Sequence, residues 1–97
     1  MKINNSEDFI DLVTMIPELM EFANINVLMG LRAVLNKGGK CNKKKKQAQL
    51  EFVYSKAINK YTNNDEFKDL ISGYMNKREI KDIYFLVNSE VIASIKV

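Results

Sequence analysis

The sequence predicts a mainly helical chain closed by a C-terminal β-hairpin, an α+β architecture. Three observations carry that expectation. Apolar residues recur at three- and four-residue intervals through most of the chain, the period of a helix with one buried face. Helix-stopping or turn-forming residues interrupt the pattern at Pro17, Gly38-Gly39 and Thr62-Asn63-Asn64. From Ile80 onward the composition shifts to β-branched and aromatic residues, broken by Asn88-Ser89-Glu90, as in two strands joined by a turn.

Each element follows from local chemistry. Ser6 can cap a first helix with Glu7 and Asp8 at its positive end and Phe9, Ile10, Leu12, Val13 and Ile16 as its apolar face. It runs to about Met15. Pro17 suits the first turn of a second helix reaching about Leu35, which Asn36-Lys37-Gly38-Gly39 ends. On that helix Leu19, Phe22, Ala23 and Val27 form one stripe, and Leu28, Leu31, Val34 and Leu35 widen it beyond half the circumference. A surface helix needs a stripe only about 100° wide. The second helix is therefore expected to be either the central core helix or covered on another side by a second subunit.

A Gly- and Lys-rich loop over residues 36–46 leads to a third helix, Lys44 to Tyr61, with Leu50, Val53, Tyr54, Ala57, Ile58 and Tyr61 facing inward. Its other face shows Lys45, Gln49, Lys56, Asn59 and Lys60. After the turn at Thr62-Asn63-Asn64, Asn64 caps a fourth helix, Asp65 to Asn76, which presents Phe67, Leu70, Ile71, Tyr74 and Met75 to the core. Ile80 to Val87 and Val91 to Val97 make the hairpin. With 97 residues, 46% of them hydrophobic and 28% charged, the chain is expected to form one domain, residues 1–97, with an N-terminal helix over 1–16 and the remaining core over 17–97.

The net charge of +3 hides an asymmetry. Residues 37–60 carry eight lysines against Glu51 alone, whereas residues 1–36 carry five carboxylates against Lys2 and Arg32. A field concentrated in one quarter of the chain attracts polyanions. Lysines in the first turn of the third helix also oppose its dipole, which an anion bound there would relieve. The apolar run Val27 to Leu31 is far shorter than a membrane span, and Glu7 and Asp8 stand where a signal peptide would be basic. A cytoplasmic protein without membrane contact is expected, in agreement with a single cysteine, Cys41.

Catalytic chemistry finds few residues to work with. The absence of histidine removes the commonest general base and metal ligand. Cys41 lies among lysines but has no base to activate it. Gly38-Gly39-Lys40-Cys41 is only a fragment of a phosphate-binding loop, without the earlier glycine or the following Ser or Thr. The pairs Glu7/Asp8 and Asp65/Glu66 sit at helix starts, where capping explains them. No catalytic residue, metal, cofactor or small-molecule substrate is expected.

The order of elements, helix, basic loop, helix, three-residue turn, helix and hairpin, resembles the winged helix-turn-helix family of DNA-binding proteins over Pro17 to Val97. The resemblance lies in architecture and charge. It implies that Asp65 to Asn76 is the recognition helix, that Lys44 to Tyr61 precedes it, and that Asn88-Ser89-Glu90 is the wing tip. The implied partner is double-stranded DNA, bound by a homodimer. The abundance of Lys, Asn and Ile suggests a bacterial, plasmid or phage source, where such a protein would act in plasmid transfer or partition, or as a repressor. The residues expected to contact DNA are Lys40, Lys43, Lys44, Lys45, Lys46, Gln49, Lys56, Lys60, Asn63, Asn64, Lys68, Ser72, Lys77 and Arg78. Lysines would hold phosphates, and Gln49, Asn63, Asn64, Ser72 and Arg78 are the candidates for reading bases. The sequence departs from the family in placing Asp65, Glu66 and Asp69 on the recognition helix and Glu90 on the wing tip, which shifts weight to the segment Lys40 to Lys60. The alternative is a protein-interaction module, such as a phage-encoded inhibitor of a host nucleic-acid enzyme.

Overall fold

A computed structural model describes residues 1–39 and 42–97. The elements follow one another as β1 (Lys2–Ile3), α1 (Ser6–Met15), a 3-10 turn (Pro17–Glu21), α2 (Ala23–Lys37), α3 (Lys43–Tyr61), α4 (Asp65–Lys77), β2 (Asp82–Val87) and β3 (Glu90–Lys96). The mainly helical architecture with a C-terminal hairpin is therefore as expected. The buried residues form one cluster running from Ile3 to Ile95, with Phe9, Tyr54, Phe67 and Phe85 among its largest members.

Four features depart most from the sequence-based expectation. The first is β1, which lies parallel to β2 with Lys2 opposite Tyr84 and Ile3 opposite Phe85, making a three-stranded sheet in the order β1-β2-β3. Two residues are too few to show a period of two. The second is the cap of α1. Asn5, not Ser6, is the cap, its side chain accepting a 3.0 Å bond from the Asp8 amide, while Ser6 is buried.

The third is the break in the expected helix from Pro17 to Leu35. Phe22 is extended (φ −76°, ψ 127°) between the 3-10 turn and α2. Its ring sits 4.7 Å from that of Tyr61 and 5.8 Å from that of Phe67. Aromatic packing of this kind stabilises by about 0.5–1.5 kcal/mol beyond area burial, enough to outweigh one residue's helix propensity. Its carbonyl then accepts from the Ile25 and Asn26 amides, starting α2 afresh.

The fourth is the place of α2. Only Ile25 and Leu28 of this helix are buried, Leu31 and Leu35 are half-buried, and Val27 and Val34 are 54% and 44% exposed. It is not a central core helix. It packs mainly along α3, and full burial is confined to the N-terminal half of α2, at Ile25 and Leu28, and to α3 from Leu50 onward. The rest forms a two-helix arm, and the molecule as a whole measures 43 × 26 × 22 Å. Arg32 of α2 reaches back to Glu7 of α1 at 2.7 Å.

The expected loop over residues 36–46 is shorter, because α2 extends to Lys37 and α3 begins at Lys43. Gly38 (φ +70°) and Gly39 (φ +93°) occupy backbone regions that favour glycine. At the other end of the chain α4 closes with Glu79 left-handed (φ +58°), the Ile80 amide returning 2.9 Å to the Met75 carbonyl, as in a Schellman cap. Asn88 (φ +50°) and Ser89 (φ +68°) make the two-residue hairpin turn, the mirror-image type that matches strand twist. A register shift between Phe85 and Leu86 bulges the hairpin.

Candidate nucleic-acid interface

The site is built on α3, and its construction starts from one carboxylate. Glu51 is the only acid on a helix that also holds six lysines. It is half-buried and turned toward α1, where it accepts hydrogen bonds from the buried Ser6 amide at 3.2 Å and from the Ser6 hydroxyl at 2.5 Å. One turn on, Tyr54 fastens the helix to the sheet. Its hydroxyl donates to the Leu86 carbonyl at 2.9 Å, with the Ile3 carbonyl at 3.3 Å. Burial, reinforced by the neighbouring Glu51 carboxylate, holds the Tyr54 phenol well above its ordinary range, so it stays a donor. These contacts set the rotation of α3 about its axis.

That rotation leaves Lys45, Gln49, Phe52, Lys56, Asn59 and Lys60 exposed. Lys45 and Lys56 are eleven residues apart, about three helical turns, so they share a face and lie about 16 Å apart along it. Phe52 stands between them and is 62% exposed, with Lys56 Nζ 5.1 Å from its ring centroid. Lys56, Asn59 and Lys60 also line an open recess completed by Asn24 of α2. Among the described residues the ion pairs are Arg32 with Glu7 and the terminal amine with Asp82, so no carboxylate neutralises a described lysine of α3.

At the arm's tip, Lys43, Lys44 and Lys45 occupy the first turn of α3 with Lys37 at the end of α2, and all four are exposed. Lys46 is half-buried. Asn42 caps the helix, its side chain accepting from the Lys45 amide at 3.1 Å. Lys40 and Cys41 lie outside the described residues.

The remaining expected contacts fall elsewhere. Asn64 is committed to capping, accepting from the Phe67 amide at 3.0 Å, while Asn63 is exposed in the turn. The exposed face of α4 consists of Asp65, Glu66, Asp69, Gly73, Asn76 and Lys77, with Lys68 and Ser72 half-buried at its edge. Lys77 and Arg78 border a separate recess with Pro17, Glu18 and Asp69. The Arg78 guanidinium lies 4.0 Å from the Tyr74 ring centroid. The hairpin-turn residues Asn88, Ser89 and Glu90 are exposed, with Val91 beside them at 57%.

Thus the structure gathers Lys45, Gln49, Lys56 and Lys60 on one face, places Lys43 and Lys44 at the arm's tip, and sets Lys68, Ser72 and Lys77 on a helix whose outer face opens with three acids, with Arg78 just past its end. Phe52 was not among the expected contacts. Its spacing from Gln49 and Lys56, three and four residues, is the signal that would have placed it on the same face. Among the described residues no cluster of His, Cys, Asp or Glu is arranged to hold a metal, and no helix is long and apolar enough to cross a membrane. No family model matches the chain, and no curated protein or solved structure is significantly similar to it.

Proposed function

We propose that the chain binds double-stranded DNA, with the outward face of α3 and the lysine-bearing tip of the α2–α3 arm holding phosphates. The observation that carries this reading is the segregation of charge on α3: its one acid is drawn inward to Ser6, and Lys45, Lys56 and Lys60 stand exposed on the opposite side. Cations on a rigid helix, spaced by turns and free of protein counter-charge, release condensed counterions when they meet a phosphate backbone. The geometry favours α3 over α4 as the contacting helix, because Asp65, Glu66 and Asp69 would face the phosphates from α4. Gln49, exposed within the lysine face, is the best-placed reader of a base edge.

In this reading two copies act together, joined through the exposed apolar strip of α2 around Val27 and Val34. Pairing would place two α3 faces on one duplex and fix a half-site spacing, as a repressor or a plasmid transfer or partition factor requires. Fluorescence anisotropy with labelled duplexes, random and drawn from around the protein's own gene, tests it. Binding that weakens steeply with salt and prefers one duplex is the expected result. Failure to bind any duplex at low salt would overturn the proposal and turn attention to a protein partner.

A further inference from the structure

The lysine face of α3 has a feature that phosphate contacts leave unused. Phe52 stands at its centre, 62% exposed, with the Lys56 ammonium 5.1 Å from its ring centroid. Against an intact duplex a phenyl ring in that position meets phosphates and sugar edges, strips water from them and returns no hydrogen bond. The ring gains most where an aromatic plane comes to it, more than from a thymine methyl at a groove edge. In nucleic acid such a plane is free when a base is unpaired, and a base stacked on an aromatic side chain is held without regard to its identity.

We infer that Phe52 is a base-stacking platform, and that the α3 face prefers DNA carrying an unpaired base, such as a gapped duplex or a junction between duplex and single strand. The inference rests on the reading that α3 contacts DNA, and adds which form of DNA it selects. Lys45 and Lys56 stand on either side of Phe52 along the helix, about 10 and 6 Å away by helical rise. A strand running along the face keeps phosphates near both lysines while one base turns onto the ring. Lys56, already 5.1 Å from the ring centroid, is placed to hold the phosphate next to the stacked base. Gln49, one turn before Phe52, is within reach of that base's polar edge.

The test compares an intact duplex, the same duplex with a one-nucleotide gap and the corresponding single strand, against the full chain and the variants Phe52→Leu and Phe52→Tyr. Leucine keeps the apolar volume and loses the π-face, and tyrosine keeps both. Because the side chain is exposed, neither change touches the core, and circular dichroism confirms the fold. Phe52→Leu should weaken binding to the gapped duplex and single strand about ten-fold, the loss expected for one stacked base, and leave the intact duplex within about two-fold. Phe52→Tyr should bind like the parent. A 2-aminopurine placed opposite the gap should be quenched by the parent and recover in Phe52→Leu.

Equal binding of gapped duplex by the parent and Phe52→Leu would overturn the inference while leaving the DNA reading intact. Equal losses on all three ligands, with a change from dimer to monomer in sedimentation, would assign Phe52 to a contact between copies and overturn it as well. No binding to any of the three oligonucleotides would overturn the DNA reading and this inference together.

Discussion

Replacing Lys45, Lys56 and Lys60 together by alanine tests whether the charge on α3 acts as a located surface or only as part of the net charge. All three side chains are exposed and unpaired with carboxylates, so their loss should change folding stability by no more than about 0.5 kcal/mol each. If each holds one phosphate, each contributes about 0.9 to the slope of log affinity against log salt, or about 2.7 for the three. Between about 50 and 200 mM salt a slope of that size corresponds to a change of about 40-fold, so the parent should lose about 40-fold more affinity over that range than the triple variant. The control is a second triple variant, Lys2→Ala, Lys81→Ala and Lys96→Ala, whose lysines are exposed in or beside the sheet and whose net charge is the same. Anisotropy titrations at several salt concentrations give both slopes. Equal slopes for the two variants would refute the reasoning, since net charge alone would then account for binding, and an unchanged slope in the α3 triple would refute it because those lysines would then hold no phosphate.

Other consequences are open to direct measurement. Changing Lys43, Lys44, Lys45 and Lys46 together to alanine should weaken DNA binding at the arm's tip with unchanged thermal unfolding; full affinity in that variant would remove the tip from the interface. Ser6→Ala should cost about 1–2 kcal/mol by depriving the half-buried Glu51 carboxylate of its hydroxyl donor, read as a lowered urea midpoint with an unchanged slope. Glu79→Gly should stabilise by about 1 kcal/mol, raising Tm by about 4–8 °C, because a left-handed position then carries no Cβ. Val34→Asp should leave the monomer folded and abolish a dimer formed through α2, as sedimentation equilibrium would show. The Tyr54 phenol is held above its ordinary value of 10.0 in the fold, so the unfolded chain loses that proton first as pH rises. Stability should therefore be undiminished by this group below about pH 10 and fall above it, and Tyr54→Phe should remove that part of the alkaline decline.

The parts of the structure that were legible in the sequence are those decided by neighbours along the chain. Asn64 followed by Asp65 and Glu66 announces a helix start because a cap bonds an amide three residues away, and the structure has that bond. The hairpin was readable for the same reason, its turn needing only two residues with positive φ. Phe22 was not readable, because its extended backbone depends on Tyr61 and Phe67, about forty residues further on. Nor was β1, whose partners Tyr84 and Phe85 lie at the other end of the chain. On α3 the lysine face was legible from spacing, whereas the inward turn of Glu51 was not, since it depends on a serine in another helix. The wide apolar face of α2 suggested a central core helix or a second subunit's cover, and distance along the chain could not show that its far half leaves the core.

The placement of β1 has a consequence for how the molecule comes together. The middle strand of the sheet, β2, takes one neighbour from residues 2–3 and the other from residues 90–96, so the sheet joins the two extremes of the sequence. Closing a loop of about eighty residues costs on the order of 4 kcal/mol in chain entropy, and nothing repays it until both β1 and β2 are available. The α2–α3 arm, in contrast, needs only contacts between residues that follow one another closely, and can form while the rest of the chain is still being made. The surface that carries the positive charge would thus be assembled early, and the seam between Ile3 and Phe85 would be the last part of the molecule to close.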